Sequence, residues 1–376
     1  MVTTRQLEDS KAIQRRTGKT FHVATRFLPA RVREATYVLY AFFRIADDVV
    51  DDPDPDPPAV QRAELARIRE AALGRRGADD PVLDAFSEIR RRHGIPDREV
   101  EEFLRAMERD VQPEDDEPED DEPVEAEDDE PVETEDDQPE LTGRDRALQV
   151  EFRDADDREA YLRGSAVAVA YMMLAVMDPD DPDAARPHAR ALGEAFQLTN
   201  FLRDVREDAV DYGRIYLPET VMEREGVTRR QIAELRATAA FRSALEAELH
   251  VAEERYRTGV AGIRLLPDDC RFPVLLAAVL YAEHHRLIRD RDFDVLSTPP
   301  ELTATRYLAL LVRTWAHWRR TRDPEAVFYR VSAVDPDGAQ EVTGDPFLPT
   351  RRYPGVRSAG RLFDRARSRL SWLGSD

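Results

Sequence analysis

Apolar residues recur every three or four positions over residues 31–50, 145–177, 186–205, 240–265 and 270–290, the spacing of helices that bury one side. Alternating apolar and polar runs are few and carry no hairpin signal, so the pattern predicts an all-α fold. With 376 residues the chain can enclose a large core. We read one helical domain over 1–320 and an irregular extension over 321–376. The segment GSAVAVAYMMLAVM at 164–177 is small and apolar on most sides, which suits either a core helix or one lining an apolar cavity.

One stretch breaks the pattern. Residues 113–140 hold eighteen Asp or Glu and no Lys or Arg, and so account for most of the net charge of −22. Their proline-broken repeats have no apolar face and repel one another, which predicts a disordered insert that attracts cations only diffusely. Lysine is confined to Lys11 and Lys19 against fifty-three arginines. With so much acid, this composition resembles that of proteins from salt-adapted archaea, although high genomic GC content also raises arginine.

The single cysteine, Cys270, excludes an internal disulfide and a cysteine-based zinc cluster, and reads as a core residue. The seven histidines lack zinc-ligand spacing, and no glycine fingerprint for a dinucleotide is present. No nucleic acid is expected as a partner. The N-terminus has no apolar leader, and no uninterrupted apolar run reaches about eighteen residues, so a cytoplasmic protein is expected. Residues 351–376 carry seven Arg against two Asp. Leu362, Phe363, Ala366, Leu370 and Leu373 there form one side of a short basic helix, suited to docking on the protein itself or to peripheral contact with a membrane. Oligomeric state is not legible.

The candidate chemistry lies in two acidic segments. In LGEAFQLTNFLRDVREDAVDYGRIYLP at 192–218, helical spacing sets Gln197, Asn200, Asp204 and Asp208 on successive turns of one face. Leu192, Phe196, Phe201, Leu202 and Val205 frame that face, and Arg203 stands beside it where it can meet a phosphate. A row of oxygens suits Mg²⁺, which takes one or two carboxylates and completes its shell with water and substrate phosphate oxygens. Upstream, YVLYAFFRIADDVVDD at 37–52 places Asp47 and Asp51 four apart at the end of an apolar helix, with Asp48 and Asp52 one position further round. Two such helices facing across a cavity can hold opposite sides of a metal–diphosphate cluster. The plain alternative, a solvated acidic stripe with local ion pairs, does not account for the apolar frame.

Taken together these segments resemble the squalene and phytoene synthase family of head-to-head prenyl transferases. The resemblance rests on the second acidic motif and its continuation through Asp208, Gly213, Arg214, Tyr216, Leu217 and Pro218. It extends to Lys19-Thr20-Phe21, to Tyr40 and Arg44, to Tyr161 with Gly164-Ser165-Ala166, and to Tyr281, and it covers roughly residues 10–110 and 145–290. Where the family commonly has Val-Ala-Gly after the central tyrosine, this chain has GSAVAVA at 164–170.

The resemblance implies an isoprenoid synthase fold, a single helical domain around a central apolar cavity that takes two prenyl diphosphates. It implies that Asp47, Asp51, Asn200, Asp204 and Asp208 hold Mg²⁺, or Mn²⁺ in its place. Lys19, Thr20, Arg44, Arg203, Arg214, Tyr161, Gln197, Asn200 and Tyr216 would contact substrate, while Tyr40 and Tyr281 act on the reacting chains. The motif continuation resembles the phytoene branch, in which two geranylgeranyl diphosphates condense through a cyclopropyl diphosphate and no NADPH is used. The alternative is a squalene or dehydrosqualene synthase acting on two farnesyl diphosphates. An alternative of another class, a noncatalytic scaffold binding a basic partner through the acidic insert, leaves the paired aspartates without a purpose.

Overall fold

A computed structural model describes residues 3–17, 24–51, 56–77, 80–111 and 148–336. The acidic insert at 113–140, Lys19 and Thr20, and the basic segment at 351–376 lie outside the described residues, as does the whole of a separate unit at 339–376.

The chain forms α1 (Thr4–Thr17), α2 (Ala30–Val50), α3 (Pro58–Ala72), α4 (Pro81–His93) and α5 (Asp97–Asp110). It resumes with β1 (Gln149–Val150) and α6 (Ala155–Leu162), a π-helical turn (Arg163–Ala168) and α7 (Val169–Met177). Next come α8 (Pro182–Arg203), α9 (Val205–Asp211), β2 (Arg214–Ile215), α10 (Glu219–Glu225) and α11 (Arg229–Ala233). Last are α12 (Ala239–Ala261), a 3₁₀ turn (Gly262–Leu265), α13 (Asp268–Asp290), α14 (Ala304–Thr321) and α15 (Pro324–Val331). The expected all-α architecture is what the described residues adopt.

Local chemistry sets many of the helix ends. Asp80 accepts from the Val82 N–H at 2.6 Å with Pro81 at the first helical position, and α4 closes on Gly94 at φ 63°. Asp181 and Asp323 cap α8 and α15 in the same way, each followed by a proline.

Two differences from the sequence reading have physical causes. The apolar run at 145–177 is not helical from its start. Gln149 and Val150 pair in parallel with Arg214 and Ile215, and the helix begins only at Ala155, where Asp154 accepts from the Asp157 N–H at 2.9 Å. This two-residue ladder ties the chain to the loop that follows the second acidic motif. At the other end, the helical body runs past 321, because α15 buries Val327, Phe328 and Val331.

The helix α13 is buried on nearly every side between Cys270 and Ile288. Packed against it, α8 and α12 approach closely enough that glycine is required at the crossing. A Cβ on Gly259 would lie 2.7 Å from the Leu192 backbone nitrogen of α8; where α8 meets α7, one on Gly193 would lie 2.9 Å from the Ala170 Cβ. In a helix interior, alanine is favoured over glycine by about 0.5–1 kcal/mol. Overpacking costs about 1–3 kcal/mol and should win here. Gly259→Ala is therefore expected to lower stability to denaturant; an unchanged or raised midpoint would show that the crossing has slack.

Around this crossing the π turn, α7, α8, the 3₁₀ turn and α13 enclose a cavity of about 260 Å³ with predominantly apolar walls. Ala166, Val169, Met173, Phe196, Ile263 and Val274 are among its lining residues. The segment at 164–177 thus serves both purposes read from its composition, since Ala166, Leu174 and Met177 are buried and also line the cavity. The helix Ala155–Met177 is long and apolar enough to cross a bilayer, yet 56% of that apolar stretch is buried within the fold.

Candidate active site

The second acidic motif follows a helical path with one break. The helix α8 ends at Arg203, and Asp204 (φ −101°, ψ 10°) joins it to α9. The i→i−4 bonds nevertheless continue, from the Asp204 N–H to the Asn200 carbonyl and from the Asp208 N–H to the Asp204 carbonyl, both 2.9 Å. The oxygens of Asn200, Asp204 and Asp208 are therefore set on consecutive turns. Gln197 and Asn200 also line the cavity, so the ladder begins where the apolar walls end.

The first motif occupies the last turn of α2, where Asp51 is the C-terminal cap and donates its N–H to the Asp47 carbonyl at 2.9 Å. Burial raises the Asp47 carboxyl to about 8, with Asp51 and Asp110 adding repulsion and Arg44 opposing it. Burial also raises Asp208 well above the ordinary carboxylate range, and Asp204, Glu207 and Asp51 push it further. The field of Asp51 at Asp208 means that the two ladders face each other.

The cations are placed unequally. Arg203 donates Nε to Asp204 Oδ1 at 2.7 Å and engages the other oxygen of the same carboxylate. It also hydrogen-bonds Tyr281, which is buried and tilted against Phe196 with ring centroids 4.8 Å apart. Arg44 pairs with Asp48 at 2.8 Å and feels the charges of Asp47 and Asp51. Arg214 is 6% exposed and bound by protein groups. It donates to Asp51 Oδ1 at 3.0 Å, to the Val50 carbonyl at 3.1 Å and to the Asp110 carbonyl at 3.0 Å, joining the end of α2 to the end of α5. In this arrangement Arg214 orients Asp51 and the backbone around it. Tyr216 stacks on Phe201 with centroids 4.3 Å apart, and Tyr161 donates its hydroxyl to Asp110 Oδ2 at 2.8 Å.

Asp110 was not singled out from sequence. It is buried, its Oδ1 has no hydrogen-bond partner, and burial raises its carboxyl to about 7 against the opposing pull of Arg214 and Tyr161. Behind α8 lies a second feature missed from sequence. Thr199 Oγ1 is 3.1 Å from the Tyr256 hydroxyl and 3.0 Å from His285 Nε2, while Glu253 accepts from Arg289 at 2.8 Å and faces His285 Nδ1 at 3.4 Å. Through Tyr256 and Glu253 of α12 and His285 and Arg289 of α13, this network holds Thr199 and so fixes the helix that carries the motif.

The donor set fits a hard divalent cation. All candidate ligands are oxygens, Asn200 Oδ1 is buried without a partner, and several carboxylates repel one another. Among the described residues, no three His, Cys, Asp or Glu side chains converge to enclose an ion by themselves. Separate banks of oxygen suit an ion whose shell is completed by substrate and water.

A helical shell around an apolar cavity, with facing acidic ladders and arginines at one end, defines an enzyme of the isoprenoid synthase fold. The squalene/phytoene synthase family profile matches residues 14–307, and the chain belongs to that family; it is a transferase. A phytoene synthase of Rhodobacter capsulatus is 29% identical over 318 residues, 84% of this chain and 82% of that one. A phytoene synthase of Cereibacter sphaeroides is 32% identical over 293 residues, 75% of this chain and 71% of that one. Among solved structures, a dehydrosqualene synthase in complex with a ligand superposes with a TM-score of 0.67 at 24% identity, covering 84% of this chain and 97% of that one.

Proposed function

We propose that the protein condenses two geranylgeranyl diphosphates head to head, through a cyclopropyl diphosphate, to phytoene, the first committed step of carotenoid formation. The observation that carries this reading is the junction at Gln197 and Asn200, where the apolar cavity meets the second acidic ladder, whose Asp208 feels the charge of Asp51 in the first. The phytoene synthases among the relatives support the choice of product.

Asp47, Asp51, Asn200, Asp204 and Asp208 would hold Mg²⁺, with Mn²⁺ able to replace it. When bound, the metal supplies positive charge to the departing diphosphate. The remaining work belongs to the chain. Arg44 and Arg203 neutralise phosphate oxygens, with Arg203 exchanging its bonds to Asp204 for bonds to substrate. Burial keeps the Tyr281 hydroxyl protonated at neutral pH, so Tyr281 offers a hydrogen-bond donor and an electron-rich ring beside Tyr40. The walls of Ala166, Val169, Met173 and Phe196 hold the prenyl chain and exclude water from the cation.

The test is incubation of the purified protein with Mg²⁺ and either geranylgeranyl or farnesyl diphosphate, with and without NADPH, and identification of the hydrocarbon. Phytoene should form without NADPH, and kcat/KM should favour the longer diphosphate. Faster use of farnesyl diphosphate, giving squalene with NADPH or dehydrosqualene without it, would overturn the substrate assignment and leave the family intact.

A further inference from the structure

The helix α14 has an apolar stripe that the described residues leave uncovered. Leu308, Val312 and Trp315 are 42%, 55% and 53% exposed, and their spacing of four and three residues puts them in one row with Arg319. Opposite them Leu310, Thr314 and Trp318 are buried, so the exposed row is a second face of a helix already docked through its first. A separate aromatic chain leaves the buried face. Trp318 packs on Phe272 with centroids 6.2 Å apart, and Phe272 meets Phe27 edge-on at 5.8 Å. Phe27 is 43% exposed. Its neighbour Leu28 and the neighbours of Phe272, Pro273 and Val274, line the central cavity, so this aromatic chain lies one residue outside the cavity wall.

Charge selects the occupant. In a chain of net charge −22, α14 carries four arginines and no acid, and Arg322 follows directly. The Arg319 guanidinium lies 5.7 Å from the Trp315 ring centre, and Arg322 lies 5.4 Å from that of Trp318. Arg306 is paired with Glu283 and Asp290, but a second copy joined by twofold symmetry would bring the Arg319 ends of two rows together with no carboxylate on the helix to answer them. The chain's own residues 351–376 have the same sign, with seven Arg against two Asp. Tryptophan with arginine beside it on an apolar row matches the boundary of a bilayer, where indole rings rest at headgroup depth and guanidinium groups reach anionic phosphates.

We propose that the row Leu308, Val312, Trp315 and Arg319 docks on a lipid surface bearing anionic headgroups. The binding itself rests on the exposed row and holds whichever prenyl diphosphate is the substrate.

The experiment is sedimentation of the full-length protein with vesicles of phosphatidylcholine alone or mixed with phosphatidylglycerol, without substrate, at low and at physiological salt. Wild type should bind the phosphatidylglycerol vesicles and lose affinity as salt rises. V312S/W315S should weaken binding about tenfold or more, as should R319Q/R320Q. Both variants should keep the wild-type melting temperature and diphosphate release in solution, because these residues lie outside the site. Failure of wild type to bind anionic vesicles, wild-type binding by either variant, or equal binding to neutral vesicles would overturn the proposal. So would a dimer of wild type that V312S/W315S converts to monomer, since the row would then belong to a second copy.

Discussion

Asp47→Asn and Asp204→Asn are each expected to lower diphosphate release by about 10²–10³-fold, the usual cost of removing one group from a charge-stabilising site. Neither should unfold the protein. Burial and the neighbouring carboxylates Asp51 and Asp110 already disfavour a charge at Asp47, so an amide there relieves repulsion and should keep or raise the melting temperature. The pair of measurements separates a functional carboxylate from a structural one, because a structural carboxylate would take stability with it. Wild-type turnover in either variant at limiting Mg²⁺ would remove the paired-ladder mechanism.

Arg214→Met should have the opposite signature. Its guanidinium satisfies Asp51 Oδ1 and two backbone carbonyls that close the ends of α2 and α5. Removing one partner from a buried charged pair costs about 3–5 kcal/mol, and the unpaired carbonyls add to it. Activity should fall as well, because Asp51 loses the contact that aims it. Arg214→Lys should recover only part of either property, since a point charge on a flexible stem cannot bond three acceptors in fixed directions. The measurement is urea denaturation with diphosphate release on the same samples; a stable Arg214→Met variant would show that the clamp is dispensable.

The helical body and the two ladders were legible because each depends on short-range spacing. Residues 37–51 and 192–208 carry their apolar frames and their carboxylates on near-continuous helical paths, and the structure preserves both. Asp110 was illegible for the converse reason. In sequence it precedes an acidic run and closes an amphipathic helix, where a solvated carboxylate is ordinary. Only the return of the chain through β1 and β2 brings Tyr161 and Arg214 to it. The sequence also shows Arg214 as a cation within a phosphate-associated motif, but not the carbonyls that engage it. Likewise Thr199 and His285 are eighty-six residues apart and meet only when α8 packs on α13.

The π turn at Arg163–Ala168 has an evolutionary consequence. A π turn holds one residue more than α-helical geometry needs, so it resets the angular phase between the helix before it and the helix after it. Tyr161, ahead of the turn, aims at Asp110, while Val169, Ala170 and Met173, behind it, aim into the cavity. Deleting a single residue within 163–168 would restore α-helical phase and rotate one set against the other by about 100°. Insertions and deletions here are therefore steps between different cavity walls, a route to new chain-length preferences that leaves every carboxylate in place.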